Sequence, residues 1–412
     1  MSQDALPQAG QSWETLEARM RDMAKGDVKW RQGRTGLYIF NAGEEVERVQ
    51  KAAYAMFSAE NGLGPAAFPS IAQMEREVVG FGLALLKAPE GGAGSMTSGG
   101  TDSIVMAVKA ARDHARAKRG LDKGLNIVIP FSAHPAFDKA GMMMDIDVRR
   151  VPVKDYLADV AAMEAAIDER TLLIVGSAPC FPFGLIDPIE ALSELAQRRN
   201  VWLHVDACVG GYIAPFVRMN GADLPPFDFS VPGVWSISGD LHKYGYASKG
   251  ASTVFFRTRE LLDFMTFDAG PWPLGRMMTP TLAGTRPGGA IAAAWAVTQF
   301  LGVEGYREKQ RQVTEAREKI EAGVRKLGFR VIGKPQLGIV SFTHDEADCL
   351  ALYAKMHHRG WFTAALLEPK GLHLMLSPKH NEVAHEYLAD MEASLKDLKQ
   401  AAGEQMTPRY AG

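Results

Sequence analysis

Residues 172–206 read Leu172-Leu-Ile-Val-Gly176, then a helical stretch from Ile189 to Arg199, then Trp202-Leu-His-Val-Asp206. Short apolar runs without polar alternation, separated by a helix, describe strands buried on both faces of a parallel sheet. The alternation extends outward in both directions. Upstream stand a strand at Asn126-Ile-Val-Ile-Pro130, a helix at Ala136–Met144, a strand at Val148–Val153 and a helix at Val160–Asp168. Downstream, Ser236-Ile-Ser238 and Thr253-Val-Phe-Phe256 read as two more strands. The pattern predicts an α/β fold whose mostly parallel sheet is flanked by helices.

The flanks read differently. Residues 1–60 hold polar helical stretches and few strand signals, and are expected to form an arm laid over the rest. Ile71–Leu86 is helical and ends in the breaker cluster Pro89–Gly94, after which Met96-Thr-Ser-Gly-Gly-Thr101 turns directly into a helix over Asp102–Arg119. Beyond the apolar helix Ala290–Leu301, a charged helix spans Tyr306–Leu327. Strands at Phe329–Ile332, Gly338–Phe342 and Leu372–Leu376 then lie between two helices. We therefore expect an arm at 1–60, a large domain at 61–300 and a smaller α+β domain at 301–412.

Composition narrows the function classes. With 47% apolar and 23% charged residues and a net charge of −2, the 412-residue chain is ordinary globular protein with no electrostatic case for nucleic acid. Three cysteines with no C-x-x-C pair support neither a disulfide framework nor a zinc site, so no metal is expected. The N-terminal sequence has no basic region leading into an apolar run, so no secretory signal is read there. The most apolar stretch, Ala290–Val303, falls short of the ~20 residues a membrane span needs and is expected to be a buried helix. The expected compartment is the cytoplasm. The run Met142–Met144 reads as core packing. Gly92-Ala-Gly94-Ser-Met-Thr97 lacks the last glycine of a dinucleotide fingerprint and no strand is read before it; P-loop, H-E-x-x-H and G-x-S-x-G motifs are missing from the sequence.

Ligands of open α/β sheets sit beyond the carboxyl ends of the strands. The residues at those ends are Ser132, Ala133 and His134; Ser177, Ala178 and Pro179; Asp206, Ala207 and Cys208; and Gly239 to Lys243. Ser98, Gly99, Gly100 and Thr101 open a helix and offer backbone N–H groups to an anion. Together they supply an anion cradle, an imidazole, a carboxylate and a lysine, which is what pyridoxal 5′-phosphate requires. Its phosphate fits the helix start, its ring nitrogen needs a carboxylate such as Asp206, its aldehyde an amine such as Lys243, and its ring face a flat partner such as His134. Singly, each has an ordinary reading: a turn, a core histidine, a helix cap, a solvated lysine. Their joint order at successive strand ends is what those readings leave unexplained.

Thr97-Ser-Gly-Gly-Thr-Asp-Ser103, Ala133-His-Pro-Ala-Phe-Asp-Lys-Ala140, Leu203-His-Val-Asp-Ala-Cys-Val-Gly-Gly211 and Ser236-Ile-Ser-Gly-Asp-Leu-His-Lys-Tyr-Gly-Tyr246 resemble the sphingosine-phosphate lyases. So do Phe181-Pro-Phe-Gly-Leu-Ile-Asp-Pro188 and Thr281-Leu-Ala-Gly-Thr-Arg-Pro-Gly-Gly289. That family lies in the group II decarboxylase branch of pyridoxal-phosphate enzymes. The resemblance implies fold type I, with a mostly parallel seven-stranded sheet and a smaller C-terminal domain. It implies Lys243 as the Schiff-base lysine, Asp206 at the ring nitrogen and His134 on the ring, with Ser177 at the cofactor. Gly100, Thr101 and His242 are implied at the phosphate, with Gly284 and Thr285 reaching it from the neighbouring subunit of a homodimer. Lys249 and Tyr38 match substrate-anchoring positions, and Asn61 begins a substrate loop. The loop departs from the family: Asn61-Gly-Leu-Gly-Pro-Ala-Ala-Phe-Pro69 has Gly64 and Ala66 where the lyases carry His and Asp, and Phe183 stands at a usual His. The implied activity is Cα–Cβ cleavage of a phosphorylated amino alcohol, in sphingolipid metabolism; the core residues serve amino-acid decarboxylation equally well.

Overall fold

A computed structural model describes residue 7 and residues 9–398. The outer parts of the expected arm and of the expected C-terminal domain lie outside the described residues. The core is a seven-stranded sheet built from β1 (Ala93–Thr97), β2 (Asn126–Pro130), β3 (Asp147–Val151), β4 (Thr171–Ser177), β5 (Trp202–Asp206), β6 (Val234–Gly239) and β7 (Ser252–Phe256). Its order is β1-β7-β6-β5-β4-β2-β3. β3, β2, β4, β5 and β6 pair in parallel, whereas β7 runs antiparallel to both β6 and β1. The carboxyl ends of six strands therefore share one edge with the start of β7. Every residue of β2, β4, β5 and β7 is buried, the burial that continuous apolar strands require.

Helices cover both faces; the first three along the chain are α1 (Trp13–Met23), α2 (Glu44–Met56) and α3 (Pro69–Leu85), and α9 (Arg259–Asp263) follows β7. One apolar cluster joins α4 (Gly100–Arg119) and α5 (Ala136–Met144) to the sheet. Another joins α6 (Val160–Ala166), α7 (Ile189–Arg199) and α8 (Ala214–Met219) to the opposite face and continues into the C-terminal region. Met142 and Met143 are 81% and 51% exposed, which corrects the core reading of that run: they fall on the outer side of α5, while Phe137, Ala140 and Gly141 face inward.

β1 was not legible as a strand because Gly92 and Gly94 break its apolar pattern; Phe255 of β7 fills the space a side chain at Gly94 would need. The strand also precedes Ser98–Thr101, so that segment is a strand-to-helix turn. The two helices expected on either side of Gly302 are both present within Gly288–Lys326, labelled α10 as a whole, and they meet at a kink at Gly302, whose φ of 53° and ψ of −172° are open to glycine alone. Residues 290–294 of α10 are buried as expected, but Phe300 and Val303 are largely exposed.

α10 leads into a four-stranded sheet of β10 (Arg330–Val331), β11 (Ile339–Thr343), β12 (Ala364–Leu367) and β13 (Lys370–Met375), in the order β10-β11-β13-β12. (β8, Phe267–Trp272, and β9, Gly275–Thr279, form a separate exposed hairpin that the sequence did not announce.) α11 (Cys349–His358) and α12 (His380–Leu398) cover this sheet. The segment before residue 42 belongs to the same unit: Gly36 N donates to Phe362 O (2.8 Å), and Met375 N donates to Gly36 O (2.7 Å). Among the described residues, no helix is long and apolar enough to cross a membrane.

Candidate active site

Three neighbouring strands set one row at the carboxyl edge, where Ser177 is in register with Asp206 and Asp206 with Ser238. Asp206 is buried; its Oδ1 accepts from Cys208 N (3.1 Å) and from the Ser238 hydroxyl (3.3 Å). Ser177 N donates to Asp187 (2.7 Å), a buried carboxylate that also receives Ala158 N (2.8 Å). Burial, against those two donors, pushes the Asp187 carboxyl up to about 6. No local signal marks this support, although Asp187 lies in the quoted 181–188 segment.

The turn after β6 carries the charged group of the site. Asp240, buried beneath it, lies 3.0 Å from Lys243 Nζ and accepts from the Ser252 hydroxyl. Burial raises the Asp240 carboxyl more than any one neighbour lowers it, but Lys243, His242 and the hydrogen bonds from Ser252 and Lys243 together hold it below its usual range. His242 Nε2 is 3.6 Å from the same carboxylate, yet burial pulls its imidazole down to about 4. His242 is therefore neutral at pH 7, and Lys243 alone balances Asp240.

His134 opens the turn before α5 and caps it, its Nδ1 accepting from Ala136 N (3.1 Å). Burial lowers its pKa, opposed by Asp206, reinforced by Lys243 and again opposed by Asp240. Those contributions put His134, Asp206, Asp240 and Lys243 in one electrostatic neighbourhood. At the start of α4, both donors of Ser98, N and Oγ, go to Asp102 Oδ2 (2.9 Å each), so Ser98 holds the turn. The first N–H groups of a helix have no intrahelical acceptor, which leaves those around Gly99, Gly100 and Thr101 for an anion. A Cβ on Gly100 would stand 2.7 Å from Asp240 Oδ2 and 2.8 Å from Cys208 Sγ, so the cup closes directly onto the Asp240–Lys243 pair.

Two buried atoms at this edge, Ser177 Oγ and His242 Nδ1, have no hydrogen-bond partner among the described residues. Unsatisfied buried polar atoms are uncommon in folded proteins, and here they flank a carboxylate, an amine and a helix start. The residues present fit pyridoxal 5′-phosphate. Comparison with known proteins decides the family. The pyridoxal-dependent decarboxylase conserved domain matches residues 1–345. The chain is 44% identical to the sphingosine-1-phosphate lyase of Oryza sativa subsp. japonica, over 95% of this chain and 72% of that one. It belongs to the sphingosine-phosphate lyase branch of the pyridoxal-dependent decarboxylases. The mouse sphingosine-1-phosphate lyase 1 is 35% identical over 95% of this chain and 70% of its own. The solved sphingosine-1-phosphate lyase of Burkholderia pseudomallei superposes with a TM-score of 0.92 at 36% identity, covering 97% of this chain and 94% of that chain. Like the branch it belongs to, the chain is a pyridoxal-dependent carbon–carbon lyase of fold type I.

The remaining positions fall in two places. Lys249 Nζ donates to Tyr38 O (2.6 Å) and His242 O (3.2 Å) and stands 5.4 Å from the Phe40 ring centre. Lys249 and Tyr38 are thus brought together, through a backbone carbonyl. The Lys249 side chain keeps contact with solvent, but protein crowds its ammonium, and that burial, with Lys243 nearby, lowers it to about 8. Asn61 lies elsewhere. It bridges Pro287, and Gly62 N donates to Arg286 O (2.9 Å), while Arg286 pairs with Glu75 and donates to Gly62 O (3.2 Å). A cavity of about 870 Å³ includes Asn61 and Arg286 in its wall but not Lys243, Asp206 or His134. Thr285 beside it is exposed and Gly284 partly so. Phe183 does not line the site; it is buried against Tyr156 and Leu366 between the two sheets.

Proposed function

We propose that the chain cleaves the Cα–Cβ bond of a phosphorylated amino alcohol, a sphingoid-base phosphate, giving an aldehyde and a phosphoethanolamine-type amine. The observation that carries this reading is the convergence of Lys243, Asp206 and His134 in a chain that shares the lyase fold over nearly its whole length. Pyridoxal 5′-phosphate, when bound, supplies an aldehyde that captures the substrate amine and a ring that accepts the electron pair of the broken bond. Lys243 anchors that aldehyde. As a free amine Lys243 would take the β-hydroxyl proton, and Asp240, 3.0 Å away, would stabilise the ammonium. Asp206 keeps the ring nitrogen protonated from its buried strand end. His134 would stack against the ring of the bound cofactor. His242, through its unpartnered Nδ1, and the α4 start at Gly99, Gly100 and Thr101 receive the cofactor phosphate, with Ser177 beside the ring.

Lys249 has three N–H donors, two of them engaged by Tyr38 O and His242 O, and the third serves the substrate phosphate. Gly284 and Thr285 complete the site of a second copy, which makes the working unit a homodimer; their exposure beside the Asn61 loop supports this. The three free, buried cysteines suit the reducing cytoplasm. Amino-acid decarboxylation remains the second reading, favoured by the loss of polar side chains at Gly64 and Ala66.

The test is direct. Purified protein should be yellow and lose its near-visible band in Lys243→Ala. Incubation with a long-chain phosphorylated amino alcohol should release aldehyde. Release of CO₂ from an amino acid, with no aldehyde from any phosphorylated amino alcohol, would replace the first reading by the second.

A further inference from the structure

Trp202, His204 and Asp206 alternate along β5 and so share one face of the sheet. Ser236 and Ser238 of β6 stand in register with His204 and Asp206. All five side chains are buried, and they join end to end. Trp202 Nε1 donates to Ser236 Oγ (2.7 Å), which lies 2.8 Å from His204 Nδ1. His204 Nε2 is 3.3 Å from Ser238 Oγ, and that hydroxyl donates to Asp206 Oδ1 (3.3 Å). Cys208 Sγ donates to the same Ser238 oxygen (3.3 Å), and Phe137 of α5 meets the His204 ring edge-on.

The direction of each hydrogen follows from its neighbours. Burial, opposed by Asp206, pulls the His204 imidazole down to about 4, so at neutral pH the ring carries a single hydrogen. Trp202 Nε1 can only donate, and a carboxylate can only accept. A hydrogen on Nδ1 would point at Ser236, whose own hydrogen would then have no acceptor among the described residues. The bare Nε2 would also compete with Asp206 for the one hydrogen of Ser238. With the hydrogen on Nε2 both conflicts vanish. Ser236 donates to Nδ1, Nε2 donates to Ser238, Ser238 donates to Asp206, and each hydrogen has its acceptor. Buried polar groups are satisfied as a rule, which selects this tautomer. An imidazole so held accepts at one end and donates at the other, which no apolar side chain can do.

We propose that His204 is a positioning residue: it turns the Ser238 hydroxyl onto Asp206 and thereby supports that carboxylate as the counter-charge of the cofactor's ring nitrogen. A hydrogen bond to the ionised form favours that form, and an ionised partner keeps the cofactor nitrogen protonated. The proposal rests on the reading of Asp206 given above, and not on which bond the enzyme cleaves.

The experiment follows the near-visible band of the cofactor-loaded protein against pH. A protonated ring nitrogen repels a second proton from the nitrogen that joins Lys243 to the cofactor, so weakening Asp206 should move the midpoint of the band upward. In His204→Asn the amide ends near the place of Nδ1 and falls short of Ser238; in His204→Gln an N–H reaches as far as Nε2. The midpoint should rise by about 0.5–1 pH unit in His204→Asn and in Ser238→Ala, and return toward the wild-type value in His204→Gln. The double variant should shift no further than Ser238→Ala alone, because one path carries both effects. An unchanged midpoint in His204→Asn, no recovery in His204→Gln, or additive shifts in the double variant overturns the proposal. Asp206→Asn separates this failure from that of the wider reading: it should shift the midpoint at least as far, and no shift there removes the role of Asp206 and this proposal together. A second measurement needs no folded variant. Nitrogen-15 NMR of histidine-labelled wild-type protein should find the His204 hydrogen on Nε2, and a hydrogen on Nδ1 overturns the proposal.

Discussion

Asp240 and Lys243 form an ion pair at 3.0 Å, three residues apart across the turn that follows β6. Ser252 of β7 donates to the same carboxylate, and Gly100 of α4 packs so close to it that a side chain there would collide, so β7 and α4 both meet the Lys243 turn at Asp240. Asp240→Asn removes the counter-charge and should destabilise cofactor-free protein by about 2–3 kcal/mol. With the cofactor linked to the amine, the loss should be smaller. Urea unfolding of both forms measures the difference, and an equal loss in each would separate Asp240 from the amine.

Asp206→Asn keeps oxygen acceptors for Cys208 N and the Ser238 hydroxyl, so the fold should persist. Its effect should fall on chemistry, with kcat down by about 10²–10³-fold, as when other preorganised charges are removed from active sites. The near-visible absorbance from Lys243 should remain. Stopped turnover with intact absorbance is the expected signature.

Lys249→Met keeps a side chain of similar length and removes the ammonium, with its approach to the Phe40 ring. KM for a phosphorylated substrate should rise about tenfold or more through loss of a charge-assisted contact, while the dephosphorylated analogue should be affected far less. Equal effects on both substrates would assign Lys249 to holding the Tyr38 carbonyl alone.

His204, His373 and His380 are fully buried, and burial pulls each down to about 4. The unfolded chain takes up these protons near pH 6.5, whereas the folded chain refuses them until about pH 4. Their contribution to stability is thus intact above pH 6.5 and lost as pH falls toward 4, by about 3 kcal/mol per histidine. Asp187 runs the other way. Its raised folded pKa, about 6, makes folding more favourable as pH falls from 6 to 4. Together these four groups predict net uptake of about two protons on unfolding at pH 5. The pH dependence of the urea midpoint checks both sign and size.

Most of the sheet could be read from the chain because its central strands are buried on both faces and so stay mainly apolar, without polar alternation. Asn126–Pro130 and Trp202–Asp206 have the expected limits. β1 was hidden because its one glycine, Gly94, makes room for Phe255, a long-range reason no local pattern displays. Lys243, Asp206 and His134 stood out by their places after strands. Asp240 did not, because a carboxylate one turn before a lysine looks like a surface pair until burial is known. Asp187 and His204 were equally silent, since what distinguishes them is which buried groups they bond.

The backbone around Arg34–Tyr38 is fixed by Phe362 and Met375, and Tyr38 in turn presents its carbonyl to Lys249. During synthesis the ribosome releases Tyr38 more than three hundred residues before the strand that seats it exists. A nascent chain can close its central sheet early, but the Lys249 corner waits for the last strand to emerge. On the proposed role of Lys249, competence to hold a substrate is among the final properties this polypeptide acquires, and a ribosome stalled in the C-terminal hundred residues would carry a sheet already formed around an unfinished cleft.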